Sequence, residues 1–550
     1  MRRISEADEV PLASSLLQQV RSFNVVFWIC IWMELMERMA YYGVRLVVPV
    51  YMVLAASEGG AGLTHLEKGT ILAAWAATQS WLPTFSGGLS DRYGYKRTLV
   101  IAVLLKSSGY GLMAGAEGFW PMLLGTQVLA AGTGVFKPGI QGTMAHDIAR
   151  TGNSSLGWGL FYQSVNVGSF FAAYIPAFTR DVYGWPSVFA ACSALVLLNL
   201  IPLAFYTDPV DERQTAPDRR GIGALVQESF VELVSSKVLV GFVLISAGFW
   251  FAFHQFFDML PNFVDDWTDS SGLRASVGRM FGWTTWVTEG EAGINMPQEQ
   301  LLNLNAFLIM TTMFLVAWAV SRIRVVSSIV LGWAVATSSL VLLVWYADVS
   351  ILLLAIVGFT VGEMLSSPKK QEFMAMLAPP GKRALYLGYA NMPDGIGWVL
   401  GNLVAGGTYD EFGDKINLAR QFLVTQADGA DVARWLDQSA TLSAPLAKEL
   451  ATNSGMDSAA AAIDGLRGLT GPAQIERWAE ILPRGTVLDE TIVSVPTLPT
   501  GVETTAATLR DYLWTTCDPG QVWWIFIGVS ACATVGMAGF GWWAKSRLPA

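Results

Sequence analysis

Residues 32–46 read WMELMERMAYYGVRL. The stretch lies inside an apolar run, with FNVVFWICIW leading into it and VVPVYMVLAA following it, yet it carries Glu34, Glu37, Arg38 and Arg45. On a helix turning about 100° per residue, these four charges and Tyr41 and Tyr42 fall within an arc of about 140°. One face is therefore polar and the rest apolar. In a bilayer such groups must face a bundle interior or a watery cavity, and must pair. Glu34 and Arg38 are spaced i,i+4, and Glu37 adjoins Arg38. A buried carboxylate held by a cation is a natural place for a proton to bind and leave. The other reading is a static ion-pair network that holds the bundle together.

The rest of the chain supports a membrane setting. It has 550 residues, 53% hydrophobic and 14% charged, with 22 Trp and a mean hydropathy of +0.42. Soluble chains carry roughly 25% charged residues. Twelve apolar runs near bilayer length can be counted, roughly at 24–54, 67–89, 98–116, 120–145, 155–178, 186–206, 237–257, 299–320, 324–346, 350–377, 384–407 and 522–543. Barrel strands are shorter and alternate, so the runs predict helices. The polar N-terminus lacks the apolar core and cleavage site of a signal peptide, so the first span is expected to target the chain.

Basic residues set the orientation. Arg2, Arg3, Arg21, Arg92, Lys96, Arg97, Arg322, Arg324, Lys382, Arg383, Lys545 and Arg547 all fall on one side of the predicted spans, while the opposite short loops hold mostly acids, Glu58, Glu117 and Asp348, with Arg180 beside Asp181. Both termini are expected in the cytoplasm. The net charge of −9 is concentrated largely in two long outer segments. Cys30, Cys192, Cys517 and Cys532 show no CxxC spacing, so no zinc site or disulfide framework is indicated.

The predicted organisation is an all-α membrane protein of twelve spans in two six-helix bundles. A cytoplasmic tail, 1–23, precedes the first bundle, 24–206. A polar linker, 207–236, leads to spans seven to eleven, 237–408, which include an outer loop, 258–298. An outer insertion, 409–521, precedes span twelve, 522–543, and a cytoplasmic tail, 544–550. Stretches such as AQIERWAEIL and ATLRDYLW in the insertion predict short amphipathic helices.

ELMERMAYYGVR resembles the ExxER…YYGxR signature of proton-coupled oligopeptide transporters, a branch of the major facilitator superfamily. GGLSDRYGYKR (87–97), GTGVFKPG (132–139) and FYQSVNVGSF (161–170) resemble further motifs of that superfamily and branch, in order. FWFAFHQ (249–255), LLNLNAFLI and GEMLSSP (362–368) agree more weakly in the second half. The resemblance implies a symporter importing di- and tripeptides, driven by a proton gradient without any cofactor, in a plasma membrane such as a bacterial inner membrane. It implies that Glu34, Glu37, Arg38 and Lys137 couple protons. Tyr41, Tyr42, Lys137, Asn166, Asn305 and Glu363 would bind substrate, with Lys137 and Glu363 at the two ends of a zwitterion. Arg45 and His254 would gate the outer side, and Asp91 and Arg92 would form an inner latch. Asn166 and Asn305 also suit interhelical glue.

The sequence departs from the pattern. Gly139 replaces an Asn, and His254 stands where an acid is expected to pair with Arg45. Lys369 and Lys370 occupy small or apolar positions and are expected to snorkel to the cytoplasm. Asp394 has no counterpart and is a candidate extra pocket or proton acid. These departures keep open a transporter of another small organic or anionic solute, and the 409–521 insertion alone motivates a non-transporting receptor. No HExxH, GxSxG or Walker A pattern occurs, and no basic face suggests nucleic acid.

Overall fold

The computed structural model describes residues 16–208 and 231–544, apart from 57–58, 152–153, 232, 292–293, 321–322, 346–347, 378–385, 387–388, 426–449, 452–453, 482–491 and 495–505. Most of the expected linker therefore lies outside the described residues, as do Arg2, Arg3, Arg322, Lys382, Arg383, Lys545 and Arg547, and the side chains of Asp91 and Arg92.

Helix occupies each of the twelve apolar runs. In the first half these are α1 (Val25–Arg45), α2 (His65–Tyr93), α3 (Tyr95–Ala114), α4 (Phe119–Thr151), α5 (Ser154–Ala172) and α6 (Trp185–Leu197). The second half has α7 (Lys237–Phe253), α8 (Gln298–Val320), α9 (Val325–Val341), α10 (Val349–Leu377), α11 (Met392–Phe412) and α12 (Trp524–Ala544). Among the described residues, five helical stretches are long and apolar enough to cross a membrane by composition alone: Phe119–Ile148, Trp185–Phe205, Lys237–Asp258, Val349–Met374 and Pro519–Ala544.

Local chemistry sets the helix starts. Asn24 caps α1, its Oδ1 accepting from Val26 N at 2.6 Å. Thr64 and Glu67 form a capping box at α2. Pro138 lies inside α4 and cannot donate to the carbonyl four residues back. That carbonyl, Gly134 O, accepts instead from Ser86 Oγ of α2 at 2.6 Å.

The packing repeats. In the first half α1 packs on α5 and α6, α3 on α4 and α6, and α2 on α4. Six helices later the same pairings recur: α7 on α11 and α12, α9 on α10 and α12, and α8 on α10. Each half is built round a large hydrophobic core, the second half's extending to Leu46, Val47, Ala173 and Val188 of the first. The halves meet mainly where α2 packs on α11 and α5 on α8, a reciprocal pair expected of a pseudo-two-fold arrangement.

The outer segments are partly helical. Leu260–Trp267, Ser271–Phe281 and Thr284–Glu291 follow α7. Lys415–Thr425, Ala459–Arg467, Pro472–Ile481 and Leu509–Cys517 lie in the 409–521 insertion. The insertion also holds a short antiparallel ladder, Ile492–Ser494 with Ala506–Thr508. The short helices agree with the amphipathic stretches of the sequence, and the ladder adds to them.

Candidate functional site

The polar face of α1 points inward. Glu34, Glu37 and Arg38 are 3%, 0% and 5% exposed. Arg38 Nε lies 3.1 Å from Glu34 Oε1 and also pairs with Glu37. Its guanidinium stands 4.9 Å over the Tyr41 ring. Tyr41 is buried beside Trp75, and its hydroxyl accepts from Gln79 Nε2 at 3.1 Å. Gly168 of the FYQSVNVGSF stretch lets α5 approach this region closely, since a Cβ there would lie 2.6 Å from Leu35 O.

Sequence reasoning missed a fourth member. Lys106 of α3 is fully buried, and its Nζ lies 2.6 Å from Glu37 Oε1. The signal was present as a lone charge in an apolar run, but no motif marks it. Lys137, which the reading had favoured as the buried cation, is half-buried on α4 and makes no salt bridge among the described residues. It remains within electrostatic reach of Arg38, Glu37, Glu34 and, across the two halves, Asp394.

Glu363 lies on α10 and accepts from Asn305 Nδ2 at 3.0 Å. The same amide nitrogen reaches Thr360 Oγ1 at 3.0 Å. Tyr42 and Tyr162 of the first half lie within electrostatic reach of Glu363. Asn166 folds back on its own helix, donating to Tyr162 O at 2.8 Å. The structure thus brings Tyr42 towards Glu363, places Tyr41 with the Arg38 cluster, and leaves Asn166 satisfied locally.

The outer gate differs from expectation. Arg45 pairs with Asp258, not with His254. The helix turn at His254 continues into Gln255–Asp258, so the acid arrives one turn after the expected position, on the same face. Asp258 is fixed by Trp398 Nε1 at 2.6 Å and Asn402 Nδ2 at 2.9 Å. His254 instead stacks on Trp398, with ring centroids 4.6 Å apart. The loop expected from residue 258 therefore begins with a buried acid paired to Arg45.

Further contacts join the two halves at this end of the helices. Asp410 accepts from His65 N at 3.0 Å and Leu66 N at 2.8 Å, capping α2 from the second half. Lys68 Nζ donates to Asn262 Oδ1 at 2.7 Å, and Asn262 Nδ2 donates to Pro49 O at 3.0 Å. His65 Nε2 lies 3.6 Å from Asp414 Oδ2. Asp266, in the outer helix Leu260–Trp267, accepts from the Tyr409 hydroxyl at 2.7 Å. Burial pushes the Asp266 carboxyl up to about 8; Asp414 adds to the rise, while Lys415 and the Tyr409 hydrogen bond oppose it.

Towards the other end, Lys370 does not snorkel. It is buried, pairs with Asp394 Oδ2 at 2.6 Å and stands 4.0 Å over the Trp250 ring. Lys369 pairs with Glu372 at 2.8 Å. Gly139 has a packing reason to lack a side chain, because a Cβ there would lie 2.9 Å from Leu99 Cδ2. Among the described residues no group of three or more His, Cys, Asp or Glu is placed to hold a metal ion.

The model of the Major Facilitator Superfamily matches residues 28–362. A dipeptide and tripeptide permease A of Erwinia pyrifoliae is 27% identical over 261 residues, 46% of this chain and 49% of that one. A protein of the same description from Escherichia coli K12 is 26% identical over 221 residues, 39% of this chain and 42% of its own. The chain thus spans about half the length of the curated relatives it matches. A crystal structure of the peptide transporter POT with sulfate superposes at a TM-score of 0.57 and 18% identity, covering 72% of this chain and 93% of that one. A POT family transporter bound to 5-aminolevulinic acid superposes at 0.58 and 16% identity, covering 72% and 94%. At these identities the structural likeness establishes the fold alone. With its apolar helices, the chain is an integral membrane protein of a transporter family, not an enzyme. It belongs to the Major Facilitator Superfamily, and the curated relatives named above are described as dipeptide and tripeptide permeases.

Proposed function

We propose that the chain is a proton-coupled symporter that imports di- and tripeptides by alternating access. The observation that carries this reading is the placement of charge. A buried acid–base cluster, Glu34, Glu37 and Arg38, occupies the first half. A cation with no salt bridge among the described residues, Lys137, lies near it, and an acid, Glu363, comes from the second half. A zwitterionic peptide needs a cation at one end of its site and an acid at the other. Lys137 would take the peptide carboxylate and Glu363 its amino group, with Tyr41, Tyr42, Asn166 and Asn305 around them. Arg45 and Asp258 would close the outer gate, and Asp91 and Arg92 would act within the inner latch.

In this reading all twelve apolar runs span a plasma membrane, in bacteria the inner one. They fall in the two bundles bounded at 24–206 and 237–543, with both termini cytoplasmic and 409–521 outside. The proton gradient supplies the energy and no cofactor takes part. The Lys370–Asp394 pair supports a second reading, in which another small organic solute is carried on the same fold. Uptake of labelled dialanine into liposomes holding the purified protein, with excess unlabelled peptides as competitors, separates the two. Uptake blocked by varied dipeptides supports peptide transport; no uptake by folded protein would remove the peptide and leave the fold.

A further inference from the structure

Lys106 sits at the centre of LVIAVLLKSSGYG, in the middle of α3. Its surroundings are built for it. The ammonium donates to Thr133 Oγ1 at 2.5 Å. The Thr133 hydroxyl in turn donates to Leu129 O at 3.1 Å, which leaves its oxygen free to accept. The stem runs past Gly132, where a Cβ would lie 2.6 Å from Lys106 Cγ. Two positions of the GTGVFKPG stretch thus form the seat of a lysine on the neighbouring helix. The Tyr41 ring lies 5.5 Å from the ammonium.

With Lys106 included, the charges of the cluster cancel. Two carboxylates, Glu34 and Glu37, face two cations, Arg38 and Lys106. The two acids are not equivalent. Glu37 touches both cations, whereas Glu34 reaches only Arg38, at 3.1 Å. A proton on Glu37 would strip Lys106 of its counter-charge in a fully buried site, which is costly. A proton on Glu34 breaks one contact and leaves both Glu37 pairs in place. Arg38 Nη2 is already buried without a hydrogen-bond partner among the described residues, so a guanidinium released by Glu34 has a donor to offer elsewhere.

We propose that Lys106 is the fixed counter-ion of this cluster: it holds Glu37 ionised, makes Glu34 the carboxylate that takes up and releases the proton, and leaves Lys137 free for the carboxylate of a substrate. This rests on reading the site as proton-coupled. Lys106 acts through Glu37 and is a positioning residue.

The test is infrared difference spectroscopy of the full-length protein in lipid, on acidification and without any substrate. The wild type is expected to gain a protonated-carboxyl band that Glu34→Gln lacks. Lys106→Met should add a second titrating carboxyl band, because Glu37 has lost its main counter-ion. The double variant Glu37→Gln/Lys106→Met should lose that second band and keep the first. Removing both members of a buried pair is gentler on folding than removing one, so the double variant carries the comparison if Lys106→Met does not fold. A wild-type band that survives in Glu34→Gln would overturn the proposal. So would a Lys106→Met spectrum with no added band, or a double variant that lacks the first band. Dialanine uptake by the wild type is read separately. If uptake fails while the bands behave as expected, the peptide reading falls and the counter-ion assignment stands.

Discussion

At the scale of single residues, the charges of α1 do opposite things at its two ends. Near the middle, Arg38 pairs with Glu34 and shares Glu37 with Lys106; at the other end, Arg45 has one acid, Asp258, and two indoles, Trp75 and Trp398, within 5.8 Å of its guanidinium. Breaking a buried ion pair from one side costs about 3–5 kcal/mol. Asp258→Asn should therefore open the outer ends, read as increased labelling of a cysteine placed beside Arg45, while His254→Ala should leave labelling nearly unchanged. Equal effects of both would contradict the gate described. In the proposed substrate site, Glu363→Gln would remove a charge-assisted contact of about 1.5–3 kcal/mol, so the KM for dialanine should rise by roughly 10- to 100-fold. A peptide with an acetylated amino terminus should be insensitive to the change. Glu34, Glu37 and Arg38 were legible because charge stands out in an apolar run and a motif names it. Lys106 stood out equally but had no motif, and Asp258 lay one turn beyond where the motif ends.

At the scale of elements, close approach explains what the sequence showed only as a departure. α3 and α4 pack so closely that a Cβ on Gly132 would lie 2.8 Å from Lys106 N, and one on Gly139 would press on the end of the Leu99 side chain at 2.9 Å. Gly139→Asn, which restores the residue expected from the resemblance, should destabilise the protein by about 1–3 kcal/mol through overpacking. Leu99→Ala in the same chain should recover part of the loss of melting temperature, since Leu99 is the side chain in the way. The outer latch was not legible at all. It joins His65 and Lys68 of α2 to residues more than 190 positions away, and only the tertiary structure brings those together. Its Asp266 gives a pH dependence. The carboxyl is raised to about 8, so folding favours its protonated form. That contribution is whole below the ordinary carboxylate range and is lost as pH rises towards 8. Asp266→Asn keeps a neutral partner for Tyr409 at every pH. The variant's advantage in melting temperature should therefore grow between about pH 5 and pH 8; a constant difference would show that Asp266 stays ionised.

At the scale of the whole molecule, the two halves repeat each other helix by helix in their packing. The sequence showed six runs, a polar linker and six more, but not this equivalence, because the repeat lies in which helices touch rather than in which residues recur. The main contacts between halves, α2 with α11 and α5 with α8, are exchanged by the same pseudo-symmetry, so rocking one half on the other needs no change inside either core. The contacts around Arg45, His65 and Asp410 join the two halves at one end of the helices, the outer end in the proposed topology. Proton binding at the α1 cluster would then bias which side opens. The most direct test of that coupling is to follow the internal pH of proteoliposomes with a trapped dye while peptide is added outside, with no proton gradient imposed. Wild-type protein should acidify the lumen when dialanine enters, and Glu34→Gln should not. Dialanine entry into wild-type vesicles with no change in internal pH would contradict proton-coupled transport.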